Sequence, residues 1–156
     1  MSAFYAYQAL GAEKNTQPRW VQKQHTSPLT TGNIFTFTGT IEIMLIFGRV
    51  TTVVQAQATN TKLSVQNDSL TVYDICANVD ATAAAAGSLI SITGTAANAA
   101  VITANGVLAP TQASRIVTSC TTSGIIKATY SAASTGAILW FMMWRPISSD
   151  ATVAAA

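Results

Sequence analysis

From Ile34 onward the chain is a succession of short β-branched and aromatic runs broken by Gly, Asn, Asp and Ser, a pattern that predicts strands joined by turns. Strands are expected near Phe35 to Thr38, Thr40 to Val50, Thr52 to Ala58, Lys62 to Gln66, Leu70 to Ile75, Ser88 to Thr93, Ala100 to Ala104, Arg115 to Ser119, Ile125 to Tyr130 and Ala137 to Arg145. No amphipathic period of helical length appears. Doubly wound and TIM-barrel folds are thereby removed. The stretch ATAAAA at 81 to 86 favours one helical turn by propensity, but Gly87 follows at once and a connecting loop is expected.

Two of these strands are apolar on both faces. In Ala137 to Arg145, Ile138, Trp140, Met142 and Trp144 point one way, while Leu139, Phe141 and Met143 point the other. A strand with one wet face would alternate, so both this strand and Thr40 to Val50 are expected to be covered on two sides. One cover is the opposite sheet of a sandwich; the other is an arm, a partner or a neighbouring copy. Trp140, Met142 and Trp144 are accordingly read as an oligomer interface. If the two long strands pair antiparallel, Glu42 meets Arg145, and a structural ion pair between them is expected.

Residues 1 to 33 read differently. They carry Pro18, Pro28, Gly11 and Gly32, many Gln and Thr, and aromatics without period, so neither helix nor strand is expected there. Their reading is an extended N-terminal arm that lays Phe4, Tyr5, Tyr7 and Trp20 into pockets of a partner, because rings give large contact area at low entropic cost. The charge agrees with such a role. Residues 1 to 28 hold Lys14, Arg19 and Lys23 against Glu13, while the rest of the chain balances five basic with five acidic groups, so the whole net charge of +2 sits in this segment. A plain solvated tail is the alternative. A domain over 34 to 149 and a C-terminal tail over 150 to 156 complete the expected organisation.

Composition sharpens this picture. Charged residues are only 9% of the chain and apolar ones 49%, which leaves little charge to coat a surface and argues that surface is hidden in an assembly. An excess of two positive charges is too small to imply nucleic acid. The longest apolar run, Ala137 to Trp144, is eight residues against the roughly 20 that a spanning helix needs, so no membrane span is expected. The start, MSAFYAYQALGAEKN, lacks the layout of a secretory signal, which makes the cytoplasm the expected place of synthesis.

Candidate chemistry is sparse. Cys76 and Cys120 lack the spacing and histidine company of a zinc site; they read as small buried hydrophobes, with a disulfide as the alternative. His25, the one histidine, lies in the polar arm and has no triad context. Asp68, Asp74 and Asp80 do not alternate as calcium ligands do and read as turn residues. No phosphate-binding glycine motif is present. Trp140 and Trp144 invite a sugar-stacking reading, set against core or interface. The expectations are no enzyme activity, no cofactor and no metal.

The polar arm, then FTFTGTIEIMLIFGRV, GSLISITGTAANAAVI and the closing STGAILWFMMWRPISSDATVAAA, resemble small structural proteins of tailed-phage particles. The likeness is to jelly-roll capsid decoration (cement) proteins and to short head or tail fibre modules. It implies an all-β, jelly-roll-like antiparallel sandwich preceded by the extended arm, a homotrimer, and a place in the virion. The implied partners are further copies of the chain and a major capsid protein or other virion protein, with neither nucleic acid nor membrane involved. A fibre module would instead bind a host receptor, such as a glycan. No catalytic residue carries over.

Overall fold

A computed structural model of the chain describes residues 17–104 and 112–156. These residues form an all-β structure of ten strands: β1 (Arg19–His25), β2 (Gly32–Thr52), β3 (Asn60–Gln66), β4 (Val72–Asp74), β5 (Val79–Asp80), β6 (Leu89–Ser91), β7 (Val101–Thr103), β8 (Ile116–Tyr130), β9 (Ala137–Pro146) and β10 (Thr152–Ala155). Every strand pairing is antiparallel, and the main path runs β1-β9-β2-β8-β3-β4.

The spine is β2. Its first half pairs β8 on one edge and β10 on the other, and its second half pairs β9 and β6. At 21 residues it would span roughly 70 Å if straight. Register shifts, including one between Ile43 and Leu45, interrupt it and give the bends a closed core requires. The shift at Met44 also changes which residues face inward: before it Phe35, Phe37, Ile41 and Ile43 are buried, and after it Ile46, Gly48 and Val50. That switch is why this stretch shows no simple alternation in sequence. The expected strands Phe35 to Thr38 and Thr40 to Val50 are one strand passing through Gly39.

Inside, Trp140, Met142, Ile138, Phe35, Phe37, Leu63 and Ile126 form the centre of one apolar core. Two glycines make room for its rings. Gly48 lies opposite Trp140 in register, and a Cβ there would come within 2.9 Å of the indole; Gly124 lies opposite Phe37, and a Cβ would meet the ring at 2.1 Å. Each ring therefore lies across the backbone of the facing glycine. Gly124→Ala is expected to lower stability by about 1–3 kcal/mol through overpacking, checked by denaturant unfolding of the two proteins.

Several expected boundaries are corrected. Arg19–His25, placed in the arm, is a strand paired with Trp144–Ile138 of β9 along its whole length, because alternating Arg19, Val21, Lys23 and His25 turn toward the core side. The tail beginning at residue 150 likewise contains β10, whose Thr152–Ala155 pair with Thr38–Phe35. The sheet thus extends beyond both ends of the expected domain. Thr52 to Ala58 is a loop after Thr52, with Val54 buried and its amide bonded to the Ala84 carbonyl. Arg115 to Ser119 and Ile125 to Tyr130 join into β8, which carries extra residues Thr121–Ser123 opposite Thr38.

Candidate assembly surface

The strand pairing determines which face of β9 is free. Ile138, Trp140, Met142 and Trp144 point into the core, where Trp140 and Met142 are fully buried and Trp144 nearly so. The expected interface of Trp140, Met142 and Trp144 is therefore corrected: these side chains hold the subunit itself together and present no surface to a partner. They also offer no sugar platform. The alternate residues Leu139, Phe141 and Met143 are only half-buried and face outward.

Antiparallel register gathers further apolar groups on that outer face. Leu45 and Trp20 both stand opposite Met143, and Phe47 stands opposite Phe141. Phe47 and Phe141 stack at 4.9 Å between centroids, and Trp20 meets Phe47 edge-on at 6.5 Å. Trp20 remains 57% exposed although it is one of the largest apolar side chains in the protein. Beside it lies an open depression of about 460 Å³ lined by Trp20, Val21, Gln22 and Phe141. An exposed ring continuous with half-buried ones on a sheet face is a mark of an interaction surface.

Charged groups border this face. Glu42 and Arg145, opposite each other in register, form the ion pair expected from the sequence, with the Arg145 Nε donating to Glu42 Oε2. Arg115 Nη1 donates to the other carboxylate oxygen at 3.2 Å. Sequence reading missed Arg115, because its approach depends on β8 lying on the far edge of β2. Glu42 is 4% exposed, so two guanidinium groups neutralise a buried carboxylate. The Arg19 guanidinium lies 5.4 Å from the Trp144 ring, and Lys23 donates to the backbone oxygen of Ala156. Of the expected arm residues, Arg19, Trp20 and Lys23 thus belong to β1; Phe4, Tyr5, Tyr7 and Lys14 lie outside the described residues.

The polar groups elsewhere are explained by local structure. His25 Nδ1 lies 3.4 Å from the Tyr130 hydroxyl; burial, and then the nearby Lys23 charge, lower its pKa, and burial pushes the Tyr130 phenol up. Cys76 and Cys120 are free and buried, and burial raises both thiols. Cys76 Sγ accepts from the Leu63 amide and Cys120 Sγ donates to the Phe37 carbonyl. Among the described residues no three His, Cys, Asp or Glu side chains gather as metal ligands. Asp74 pairs with Lys62 at 2.7 Å, and Asp80 accepts from the Thr82 amide at 2.9 Å.

Asp68 has a more particular task. It accepts backbone N–H bonds from Thr121, Thr122 and Ser123, the extra residues of β8, and these bonds hold its carboxyl at about 2 against an ordinary 3.8. Its folded pKa is depressed, so its contribution is complete above 3.8 and is lost as pH falls from there toward 2. Amide exchange at Thr121–Ser123 is expected to accelerate across that window, and Asp68→Asn to abolish the pH step.

No family model, curated protein or solved structure matches the chain. The reading of its function therefore rests on this surface.

Proposed function

We propose that the protein is a virion structural subunit, a capsid decoration or cement protein that stabilises a shell by bridging neighbouring capsid proteins. The observation that carries this reading is the outer face of β1, β9 and β2, where Trp20, Phe47 and Phe141 form a partly exposed aromatic cluster on a rigid sheet. A charge content of 9% fits a chain whose surface is hidden against neighbours. The mechanism is mechanical: apolar area buried against the shell opposes its opening, at roughly 25 cal/mol per Å² before association costs are deducted.

The finer architectural reading, a jelly roll, belongs to the same proposal. The side-by-side antiparallel placement of the long strands β2 and β9 favours it. Trimeric assembly, with the major capsid protein or another virion protein as partner, completes the proposal. The test is reconstitution. Shells lacking the protein are expected to open at lower temperature, and added protein to bind and restore them; failure to bind would contradict the reading.

A fibre module is the second reading, favoured by the exposed Trp20 indole beside an open depression, which is a geometry suited to a sugar face. It predicts glycan or host-cell binding that Trp20→Ala abolishes while shell stability stays unchanged.

A further inference from the structure

Among the described residues the strand path β1-β9-β2-β8-β3-β4 has two open ends, and they differ in character. At one end β1 is seven residues long and pairs with β9 without a register shift, so no bulge interrupts this edge. It contains no proline, and its one lysine donates to the backbone oxygen of Ala156. What protects this edge is charge alone, Arg19 and Lys23, and a partner edge of opposite charge turns that protection into a means of selection. At the other end β4 and β5 both pair with β3. That edge carries Leu70 at 74%, Tyr73 at 57% and Val72 at 49% exposure, against Trp20 at 57% on the β1 edge.

We infer that the chain assembles head to tail, the β1 edge of one copy extending the sheet of the next along its β4 edge. Strand direction permits this without distortion. Neighbours alternate along a path of six strands, so β1 and β4 run opposite ways, and copies related by rotation about an axis parallel to the strands bring them together antiparallel. Charge favours the same pairing: Arg19 and Lys23 lie on β1, while Asp68, Asp74 and Asp80 outnumber Lys62 and Lys127 around the β3–β4–β5 end. Two β1 edges would instead oppose cations to cations. Beside β4 a groove of about 350 Å³, with Val65, Tyr73, Ile75, Ile116 and Val117 on its apolar side and Asn67, Thr118 and Ser119 on its polar side, receives the amphipathic Trp20 indole of the next copy. Such a heterologous contact closes into a ring when the rotation divides the circle. The ladder offered by β4 is short, Val72–Asp74, because Leu70 just before it turns back with a left-handed φ of 59°.

This deepens the assembly reading and rests on it only in requiring self-association. Its test uses the purified full chain, with mass measured by light scattering across a concentration series. The wild-type protein is expected to be oligomeric, and Trp20→Asp and Tyr73→Lys, both at exposed positions, to be folded monomers by circular dichroism. Mixing the two variants leaves one intact β1 edge and one intact β4 edge, so the mixture is expected to reach twice the monomer mass and no more. Gln22→Glu and Val72→Asp form a second pair if either first variant fails to fold. A monomeric wild type, a single variant that assembles as the wild type does, or a mixture that stays monomeric would overturn the inference. A self-associating chain that fails to bind shells would overturn the virion reading and leave this one standing.

Discussion

Trp140→Ala is expected to cost about 3–5 kcal/mol, a large share of the roughly 5–15 kcal/mol that holds a domain of this size together. Trp140 is fully buried at the centre of the core, and its ring lies against Gly48, which has no side chain to fill the space it would leave. Its contribution is packing. Among the described residues the indole Nε1 has no partner within good hydrogen-bond geometry, and the Tyr130 hydroxyl is the polar group near it. Trp140→Phe is therefore expected to cost clearly less than Trp140→Ala, because it retains much of the ring. Denaturant unfolding of the three proteins checks both expectations, and equal losses for the two variants would show that the ring's packing is not what matters.

Phe141→Glu is expected to do the opposite. Phe141 is the next residue along β9 but faces outward, half-buried and stacked on Phe47. A carboxylate there reaches water in the free subunit, so the loss of stability is expected to stay near 1 kcal/mol, as for a partly exposed contact. Placed against a shell, the same carboxylate becomes a desolvated and unpaired charge, a penalty of several kcal/mol that corresponds to at least a hundredfold loss in affinity. Melting and shell-binding measured together distinguish the two effects. Unfolding as severe as that of Trp140→Ala would place Phe141 in the core and remove the proposed surface.

Much of the fold was legible in the chain, and its misreadings have physical causes. The long strand ending in Ala-Ile-Leu-Trp-Phe-Met-Met-Trp declared itself by apolar length, and its antiparallel partner followed from likeness, which was enough to bring Glu42 to Arg145. Which face of that strand is core could not be read from the strand alone, since both faces are apolar; only the pairing with β1 and β2 decides it. From the sequence, Trp140 and Trp144 are therefore expected to be the outward-facing rings, whereas Phe141 and Phe47 are the ones that face outward. β1 escaped notice because Arg-Trp-Val-Gln-Lys-Gln-His has a polar or charged residue at most alternate positions and borrows its order from β9. β10, an alanine-rich strand of four residues, is ordered by β2 in the same way. Trp20 was singled out, but as part of an arm, and Arg115, the second partner of Glu42, was invisible without the path of β8.

Adjacent methionines allow the central claim to be measured within one peptide. Met142 is fully buried in the core, whereas Met143 is half-buried on the outer face between Trp20 and Leu45. Peroxide oxidation followed by mass spectrometry reports the exposure of each sulfur. In the isolated protein Met143 is expected to oxidise well ahead of Met142, and on purified particles its rate is expected to fall several-fold toward that of Met142. An unchanged Met143 rate on particles would contradict the account, because the outer face would then be as open in the assembly as in the free chain.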